Sequence, residues 1–451
     1  MTPLEELQEA LKRKYEGRPV WDWFAHRVRS HNQAKRGIPT EAFQGIQASR
    51  KVEDKLSKAG LGDRPRVIYI HIPFCQKLCS FCAFIRKPYS QLACQYSQSL
   101  LQAIDAVSQT PWAKEKPFEA VFIGGGTPTA LPVDHLCKIT DRISNSFQFV
   151  PDYEFTIESR FMGIDETYLN ALSNTAVNRL SFGVQSFDTT LRRDIGRVVD
   201  RETILVTLDM ALRKHFRSVS VDLIYNLPGQ SNEQWNNDLE TLLNADVSGA
   251  SLYPLIPFEQ SALMKKLKKN NSGDMLRSDQ EYYFSMMAQS KFASHPEWKR
   301  FAPSHIGKDG IESSVYNESR LGTKDVLGIG SGAGGSIDNL SYMNCMAPDE
   351  YGATVEKGRL PIEFSSQKPW QAIPRMQAYN LLSEKGLDIC WVKKEYQELV
   401  PIIEYLERLQ LVHTDQSRIK LTENGCFWSY NITSLISRTI AQSLEDLGFS
   451  V

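Results

Sequence analysis

Three cysteines lie within eight positions in the segment His71-Ile-Pro-Phe-Cys75-Gln-Lys-Leu-Cys79-Ser-Phe-Cys82. Their CxxxCxxC spacing allows three thiolates to ligate three irons of a [4Fe–4S] cubane, which leaves one iron without a protein ligand. An open iron can bind a small chelating molecule, and S-adenosylmethionine (SAM) can do so through its amino and carboxylate groups. The spacing therefore predicts a cluster that takes part in chemistry rather than one that only carries electrons.

Zinc is the alternative metal for these thiols. Structural zinc is usually four-coordinate and held by CxxC pairs, and the sequence contains no second pair. His71 could be a fourth ligand, but it lies within an expected strand, so we favour the cluster. We interpret the other cysteines, which are scattered, as small buried apolar residues. They are Cys94, Cys137, Cys345, Cys390 and Cys426.

A second motif is the glycine-rich segment Phe122-Ile-Gly124-Gly125-Gly126-Thr127-Pro128-Thr129. Glycines let the backbone approach a polar ligand, with N–H and C=O groups pointing at it. The segment is neither a Walker A motif nor GxGxxG. Alone it is a weak signal, and it gains weight from the cysteine motif that precedes it.

Six short β-rich runs alternate with segments of helical periodicity, which predicts βαβ units and a parallel sheet. The predicted strands are Val67–Ile72, Ala120–Ile123, Tyr153–Ile157, Arg179–Phe182, Ser218–Ile224 and Gly249–Leu255. The predicted helices are Gln91–Val107, Val133–Ser146, Arg201–Lys214 and Asn232–Leu243. The expected fold is α/β, a partial (β/α)6 barrel that is open on one side.

Functional residues of α/β barrels gather at the C-terminal ends of the strands. The cysteine segment follows the first predicted strand and the glycine-rich segment follows the second. Glu158 ends the third strand, Gln185 follows the fourth and Asp222 lies in the fifth, while Tyr253 and Pro254 end the sixth. We expect these residues to share one rim.

Four parts of the chain are expected: a helical N-terminal extension (1–60), the barrel core (61–300), a glycine-rich connector completing the site (301–368) and a C-terminal winged-helix-like α+β domain (369–451). Beyond the barrel, the pattern predicts a loop at Lys265–Asp274, a helix at Gln280–Phe292 and a glycine-rich turn at Val326–Ser336. The C-terminal pattern predicts helices at Arg375–Lys385, Val392–Glu398 and Pro401–Leu409 and a hairpin over 411–425.

The composition is that of an ordinary globular protein, with 451 residues, 41% hydrophobic residues, 23% charged residues and a net charge of -1. This charge provides no general attraction to nucleic acid, and the C-terminal region has no basic recognition stripe. The polar N-terminus does not resemble a secretory signal. No run approaches the roughly 18 apolar residues of a membrane span, and a cytoplasmic location is expected.

These motifs together, with GVQSF and DLIYNLPGQ, resemble those of the HemN-like radical SAM family. The resemblance covers roughly residues 65–335, and the C-terminal region is similar. It implies that Cys75, Cys79 and Cys82 bind a [4Fe–4S] cluster. It further implies contacts to one or two SAM molecules, or a position beside the cluster, for a larger set of residues. These are Tyr69, Phe81, Gly125, Gly126, Thr127, Glu158, Gln185, Arg197 and Asp222.

Two departures separate this sequence from the better-known branches of the family. The decarboxylase branch continues its cluster segment as Cys-Gly-Cys, whereas this sequence has Cys82-Ala83-Phe84. The haem-chaperone branch carries His-Asn-x-x-Tyr-Trp, which is absent from residues 310–330 here. The long N-terminal extension and Glu158-Ser-Arg160 resemble the branch of haem-degrading radical SAM methyltransferases, the HutW/ChuW-like anaerobilin synthases.

The resemblance implies anaerobic haem degradation by SAM-dependent radical methylation and ring opening, with iron released. The alternatives are oxidative decarboxylation of coproporphyrinogen III, haem chaperoning without turnover, and a zinc-stabilised structural protein. Implied partners are haem or a related porphyrin, a low-potential donor such as flavodoxin or ferredoxin, and haem-uptake or haem-trafficking proteins. No catalytic residue can be assigned, and His305 is interpreted as a lone surface histidine rather than a haem ligand.

Overall fold

The computed structural model describes residues 1–29, 34, 38–59, 62–270, 276–318, 324–372 and 386–449. The strands are β1 (Glu41–Gln44), β2 (Arg66–Ile72), β3 (Phe74–Cys75), β4 (Lys87–Pro88), β5 (Phe118–Gly125), β6 (Phe149–Ser159), β7 (Arg179–Gln185), β8 (Ser218–Tyr225), β9 (Gly249–Pro254), β10 (Trp298–Ala302), β11 (His305–Lys308), β12 (Asp325–Ile329), β13 (Gly334–Ile337), β14 (Leu340–Asn344), β15 (Ile362–Gln367), β16 (Leu387–Asp388), β17 (Val412–Asp415) and β18 (Arg418–Leu421).

The α-helices connect or cover these strands. They are α1 (Pro3–Tyr15), α2 (Gly45–Leu56), α3 (Leu92–Ser108), α4 (Pro111–Glu115), α5 (Val133–Ser146), α6 (Glu166–Ser173), α7 (Thr189–Asp194), α8 (Arg201–Leu212), α9 (Asn232–Asn244), α10 (Ala262–Lys269), α11 (Ser278–Ala293), α12 (Val315–Glu318), α13 (Pro348–Glu356), α14 (Ile389–Glu395), α15 (Val400–Arg408), α16 (Glu423–Phe427) and α17 (Ser429–Asp446). Short 3-10 turns lie at Val20–Asp22, Pro128–Ala130 and Gln397–Leu399.

The parallel core of the fold confirms the predicted partial barrel. Strands β2, β5, β6, β7, β8 and β9 are neighbours in chain order, and every pair is parallel. Their apolar side chains are buried because helices cover the sheet, as parallel strands require. Asp165, Asp188, Asp200 and Ser231 cap the helices that follow these strands, since each side chain accepts a backbone N–H of the first turn.

The sheet extends beyond the six strands on both sides. Strand β12 pairs parallel to β2, and the antiparallel strands β13, β14, β15 and β1 continue that edge. On the other edge β11 and then β10 pair antiparallel beyond β9. The ladders found among the described residues do not join the two outer edges.

A second hydrophobic core joins the two ends of the chain. Helix α1 and the buried residues Trp23 and Phe24 share it with helices α14, α15 and α17. The hairpin β17–β18 with β16 forms a three-stranded sheet beside these helices, which matches the winged-helix-like pattern. The four domain boundaries given above stay a prediction.

The sequence-based predictions were wrong in part at two segments. Residues 265–269 of the loop predicted at Lys265–Asp274 belong to α10, because Leu263 and Leu267 recur at helical spacing and are buried. The turn predicted at Val326–Ser336 is shorter than expected: residues 330–333 form it, and β12 and β13 flank it. Helix α17 was not predicted. The predicted helix Arg375–Lys385 lies outside the described residues.

Candidate cluster and SAM site

The cysteine segment is a loop that is closed at its base. Strand β3 pairs with β4, so the residues between them form a loop whose two ends are held together. The amide of Tyr89 donates to the carbonyl of Cys75 at 2.9 Å. Cys75 and Cys79 are buried and Cys82 is half-buried. The fold thus confines all three thiols to one short loop.

Backbone groups and a side chain from three other segments hold the backbone of this loop. The amide of Ser80 donates to the carbonyl of Ile195 at 3.1 Å, and the amide of Leu263 donates to the carbonyl of Ser80 at 2.9 Å. The guanidinium of Arg160 donates to the carbonyl of Lys77 at 2.6 Å. Because these partners lie far apart in sequence, the loop is positioned by the whole rim of the barrel.

The thiols have the chemistry that an iron–sulfur cluster requires. All three are free cysteines. Burial raises the pKa of the Cys82 thiol, and the nearby thiols of Cys79 and Cys75 add to that shift. Within the described ranges, no three His, Cys, Asp or Glu side chains are grouped as ligands of a single metal ion. A cubane does not require such a group, because each thiolate binds a different iron.

His71 has both ring nitrogens engaged and is therefore not a free metal ligand. Its Nε2 lies 3.0 Å from the carbonyl of Ile85 and must donate, because a carbonyl oxygen only accepts. Its Nδ1 then accepts the hydroxyl of Tyr69 at 2.8 Å. Burial lowers the pKa of His71 to about 4, opposed by the bond to Ile85. The neutral imidazole therefore ties β2 to the end of the cysteine loop.

A histidine that is neutral when folded predicts a loss of stability in acid. The pKa of His71 is depressed in the folded state. The contribution of the neutral ring to the free energy of unfolding is therefore present above the unfolded pKa near 6.5, and it is lost as the pH falls from there through about 4. We expect this loss to reach about 3 kcal/mol and to be absent from His71→Gln, whose amide can still donate to Ile85. Urea unfolding at stepped pH measures it. The exposed His413→Gln is the control, and equal acid sensitivity in both variants would contradict the assignment.

The glycine-rich segment packs directly on the cysteine loop. A Cβ at Gly126 would lie 2.8 Å from the carbonyl oxygen of Phe74, and one at Gly125, where φ is +114°, would lie 2.8 Å from the His71 ring. The amide of Gly126 donates to Ile72 at 2.8 Å, and that of Gly125 donates to Oε2 of Glu158 at 3.1 Å. Both amides already donate hydrogen bonds within the protein. The segment can therefore meet a bound ligand mainly through the close approach of its backbone and through its carbonyl oxygens.

Thr127 links the glycine-rich segment to a cluster cysteine. Its hydroxyl lies 3.5 Å from Sγ of Cys75 and 2.7 Å from the carbonyl of Gly126. Both Thr127 and Cys75 are buried. The structure therefore brings together Cys75, Gly125, Gly126, Thr127 and Glu158, as the shared-rim argument predicted.

Gln185 and Arg197 converge on Gly183. A Cβ at Gly183 would lie 2.9 Å from Nε2 of Gln185 and 3.2 Å from Nη2 of Arg197. Both side chains are buried, and in the described part of the chain Oε1 of Gln185 and Nε of Arg197 have no hydrogen-bond partner. Gln185 also has a φ of +66°, an uncommon conformation for a residue with a side chain. Buried polar atoms of this kind are suited to meet a polar ligand.

Arg197 is electrostatically coupled to the cysteine loop. Burial lowers its pKa to about 10, and the thiol of Cys79 acts in the opposite direction. The guanidinium therefore remains charged at neutral pH. A fixed cation beside the cysteines is suited to a carboxylate ligand.

Asp222 lies opposite Gly183 in the pairing of β7 with β8, and its carboxylate accepts the hydroxyl of Ser181 at 3.5 Å. Burial raises the pKa of its carboxyl, and hydrogen bonding to Ser251 opposes that shift. Ser251 also lies 3.2 Å from Nδ1 of His305, whose Nε2 lies 3.0 Å from Oε1 of Glu312. The interpretation of His305 as a surface histidine was wrong: it is buried, because β11 places it on the inner face beside β9.

Tyr69 and Phe81 pack in two different apolar clusters. Tyr69 stacks on Tyr316 with ring centroids 5.5 Å apart. Phe81, between two cluster cysteines, packs against the small core that includes Leu263 and Leu267 of α10. The predicted contact of Phe81 with SAM stays a prediction.

Several positioning residues were missed by the sequence reasoning. Arg160 and Ile195 hold the cysteine loop, and Tyr96 donates to the carbonyl of His71 at 2.7 Å. Arg179 and Glu312 form a buried ion pair at 2.7 Å. The sequence did contain one signal for this ion pair: Arg179 is a charged residue at the start of a buried strand. The scattered cysteines are mostly half-buried and Cys390 is exposed, so their description as buried was too strong.

Comparison with known proteins agrees with this geometry. The family model described as the Radical SAM superfamily matches residues 69–242. An anaerobilin synthase from Escherichia coli O157:H7 is 28% identical over 84% of this chain and 85% of its own length. A haem chaperone, HemW from Lactococcus lactis, is 27% identical over 80% of this chain and 94% of its own length.

A solved structure shares the fold. The coproporphyrinogen III oxidase HemN from Escherichia coli, described as a radical SAM enzyme, superimposes with a TM-score of 0.74 at 23% identity, covering 91% of this chain and 99% of that chain. At this identity the likeness establishes the fold alone. Helices long and apolar enough to cross a bilayer are absent from the described residues.

Proposed function

Because this chain belongs to the HemN-like group of radical SAM proteins, we propose that it degrades haem without oxygen, using SAM to methylate and open the macrocycle and release iron. The similarity to anaerobilin synthase along most of both chains carries this proposal. Two sequence features support it: residue 84 is Phe rather than the extra cysteine of the decarboxylase branch, and residues 310–330 contain no histidine to bind haem as the chaperone motif does.

A radical SAM domain implies a [4Fe–4S] cluster and SAM, and the donor atoms of the loop fit them. Cys75, Cys79 and Cys82 would hold the cluster. When bound and reduced, the cluster would supply the electron that cleaves SAM to methionine and a 5′-deoxyadenosyl radical. The chain itself then has to orient SAM, keep water out and hold the substrate.

We also propose roles for three of the other predicted residues. Glu158 is anchored by the amide of Gly125, so its carboxylate is held at the rim as an acceptor for a cationic group. Arg197 offers a buried cation for a carboxylate, and the unpartnered amide oxygen of Gln185 offers an acceptor beside it. We propose that these two groups recognise SAM, of which the protein binds one or two molecules.

The test is anaerobic turnover with the reconstituted protein, SAM, a reductant and haem. The haem Soret band is expected to disappear while 5′-deoxyadenosine forms, and mass spectrometry is expected to find an open-chain methylated tetrapyrrole. The Cys79→Ser variant, which lacks one cluster ligand, is the control and should leave both haem and SAM intact.

Other outcomes would redirect the assignment. SAM cleavage with intact haem would remove haem as substrate, and loss of carbon dioxide from coproporphyrinogen III would then identify a decarboxylase. Tight haem binding without SAM cleavage would instead support a chaperone. Protein that takes up zinc but no iron or sulfide would overturn the enzyme assignment itself.

A further inference from the structure

Arg86 is the last residue of the cysteine loop and has a fixed backbone. The carbonyl of Ile85 lies 3.0 Å from Nε2 of His71, and strand β4, which begins at the next residue, pairs with β3. From this anchor the guanidinium reaches back along the loop, and its Nη2 donates to the carbonyl of Cys79 at 3.0 Å. Arg86 therefore holds the backbone of a predicted cluster ligand.

A second donor of this guanidinium is buried and has no acceptor. In the part of the chain that the structure describes, Nε of Arg86 makes no hydrogen bond, although it is shielded from solvent. The loop itself does not neutralise the charge, because residues 76–89 contain no Asp or Glu. Buried N–H groups normally meet an acceptor. Arg86 is thus suited to an anionic acceptor that the loop does not supply as a side-chain carboxylate.

The thiols of the loop lie within the electrostatic reach of this cation. Burial raises the pKa of the Cys82 thiol, and the charge of Arg86 opposes that shift. A [4Fe–4S] cluster on Cys75, Cys79 and Cys82 would bring thiolate and sulfide atoms to the loop, and both accept N–H hydrogen bonds. The orphaned Nε–H, the bonded carbonyl of Cys79 and the charge on Cys82 therefore point to the same ligand.

A cation beside a cluster acts mainly on its reduction. Reduction adds one negative charge to the cluster, and a nearby positive charge or an N–H donor to sulfur stabilises that form. Arg86 is half-buried, so solvent and salt screen its charge less than that of an exposed residue. Its neighbour Lys87 is exposed, and the charge of Lys87 should act much more weakly.

We propose that Arg86 sets the reduction potential of the cluster, donating its free Nε–H to a thiolate or sulfide and holding Cys79 through its carbonyl. The positive charge makes one-electron reduction of the cluster easier. This role is separate from the recognition of SAM that we propose for Arg197. The inference rests on the proposed radical SAM function, because it needs a cluster, but it does not depend on haem as the substrate.

The test measures the midpoint potential of the reconstituted cluster in the absence of SAM. An anaerobic redox titration is followed by electron paramagnetic resonance of the reduced cluster, and iron, sulfide and SAM affinity are measured on the same protein. Arg86→Gln removes the charge but keeps an amide that can donate to Cys79. Arg86→Lys keeps the charge but lacks the Nε–H. Lys87→Gln is the matched control, since it removes one charge from the adjacent exposed position.

We expect Arg86→Gln to lower the equilibrium constant for one-electron reduction about tenfold, which corresponds to a midpoint potential about 59 mV more negative. Arg86→Lys should recover most of this shift, because the charge remains. Lys87→Gln should have the wild-type potential. All three variants should keep the iron and sulfide content of the wild type.

Two results would overturn the proposal. One is an Arg86→Gln protein with normal iron content and the wild-type potential, whatever its affinity for SAM; weaker SAM binding at that potential would make Arg86 a SAM contact instead. The other is loss of iron in both Arg86 variants, which would limit Arg86 to supporting the loop backbone. If only Arg86→Gln loses iron, a near-wild-type potential in Arg86→Lys supports the role of the charge. SAM cleavage with intact haem would reject the haem assignment and leave Arg86 unaffected.

Discussion

The Cys75→Ser variant is expected to lose its cluster and to form 5′-deoxyadenosine no faster than cluster-free protein. Cys75 is buried, and the hydroxyl of Thr127 lies 3.5 Å from its sulfur. Serine nearly preserves the volume and accepts the same hydrogen bond, so the loop should keep its shape. The iron that Cys75 would hold then lacks its thiolate, and the cluster has only two protein ligands.

Iron and sulfide content, the spectrum of the reduced cluster and 5′-deoxyadenosine measure this effect together. Cys94→Ser is the matched control, because Cys94 is a half-buried free thiol on the neighbouring helix α3. It should retain the iron, the sulfide and SAM cleavage. A Cys75→Ser protein with wild-type iron content and activity would show that Cys75 is not a ligand.

Spacing and periodicity predicted the parts of this protein that depend on local sequence. The six parallel strands follow from short apolar runs between helical segments, and the turn after the second of them follows from Gly125 and Gly126. Because parallel strands end at one rim, order along the chain was enough to place Glu158 near the glycine-rich segment. The structure places its carboxylate on the amide of Gly125.

The contacts that order along the chain cannot predict are those between distant segments. Most of helix α10 was expected to be a loop because its lysines dominate its composition, yet Leu263 and Leu267 find an apolar surface beside Phe81. His305 was expected at the surface because nothing near it in the sequence predicts that it is buried against Ser251 of β9. Long-range contacts such as this one and the Arg179–Glu312 ion pair leave no periodic signal in either segment.

The Glu312→Ala variant is expected to lose about 3–5 kcal/mol of unfolding free energy. Glu312 receives hydrogen bonds from the guanidinium of Arg179, at 2.7 and 3.0 Å to Oε1, and from Ser218. Its carboxyl is also in contact with His305. Arg179 and Glu312 are both fully buried, and removing Glu312 takes away the strongest of the negative charges around the buried Arg179 guanidinium.

The surrounding backbone is shaped around this carboxylate. A Cβ added at Gly249 or at Gly307 would lie 2.5 Å from the side chain of Glu312, so two strands lack side chains where it enters. Alanine would therefore leave a cavity as well as an unpaired charge, and the cavity adds to the loss. Burial opposes ionisation of Glu312, but the charge of Arg179 outweighs it and lowers the pKa.

Chemical denaturation, followed by tryptophan fluorescence, measures this loss, and a double-mutant cycle identifies its origin. Glu312→Leu with Arg179→Met removes both charges, so the double variant should be more stable than either single one. Glu240→Ala breaks the exposed pair with Lys291 and should leave the stability nearly unchanged, because exposed ion pairs contribute little. Because the pKa of Glu312 is lowered, the stabilisation is present above the unfolded value near 4.3 and is lost as pH falls below it. Additive single losses at neutral pH would mean that packing, rather than the ion pair, fixes this end of the barrel.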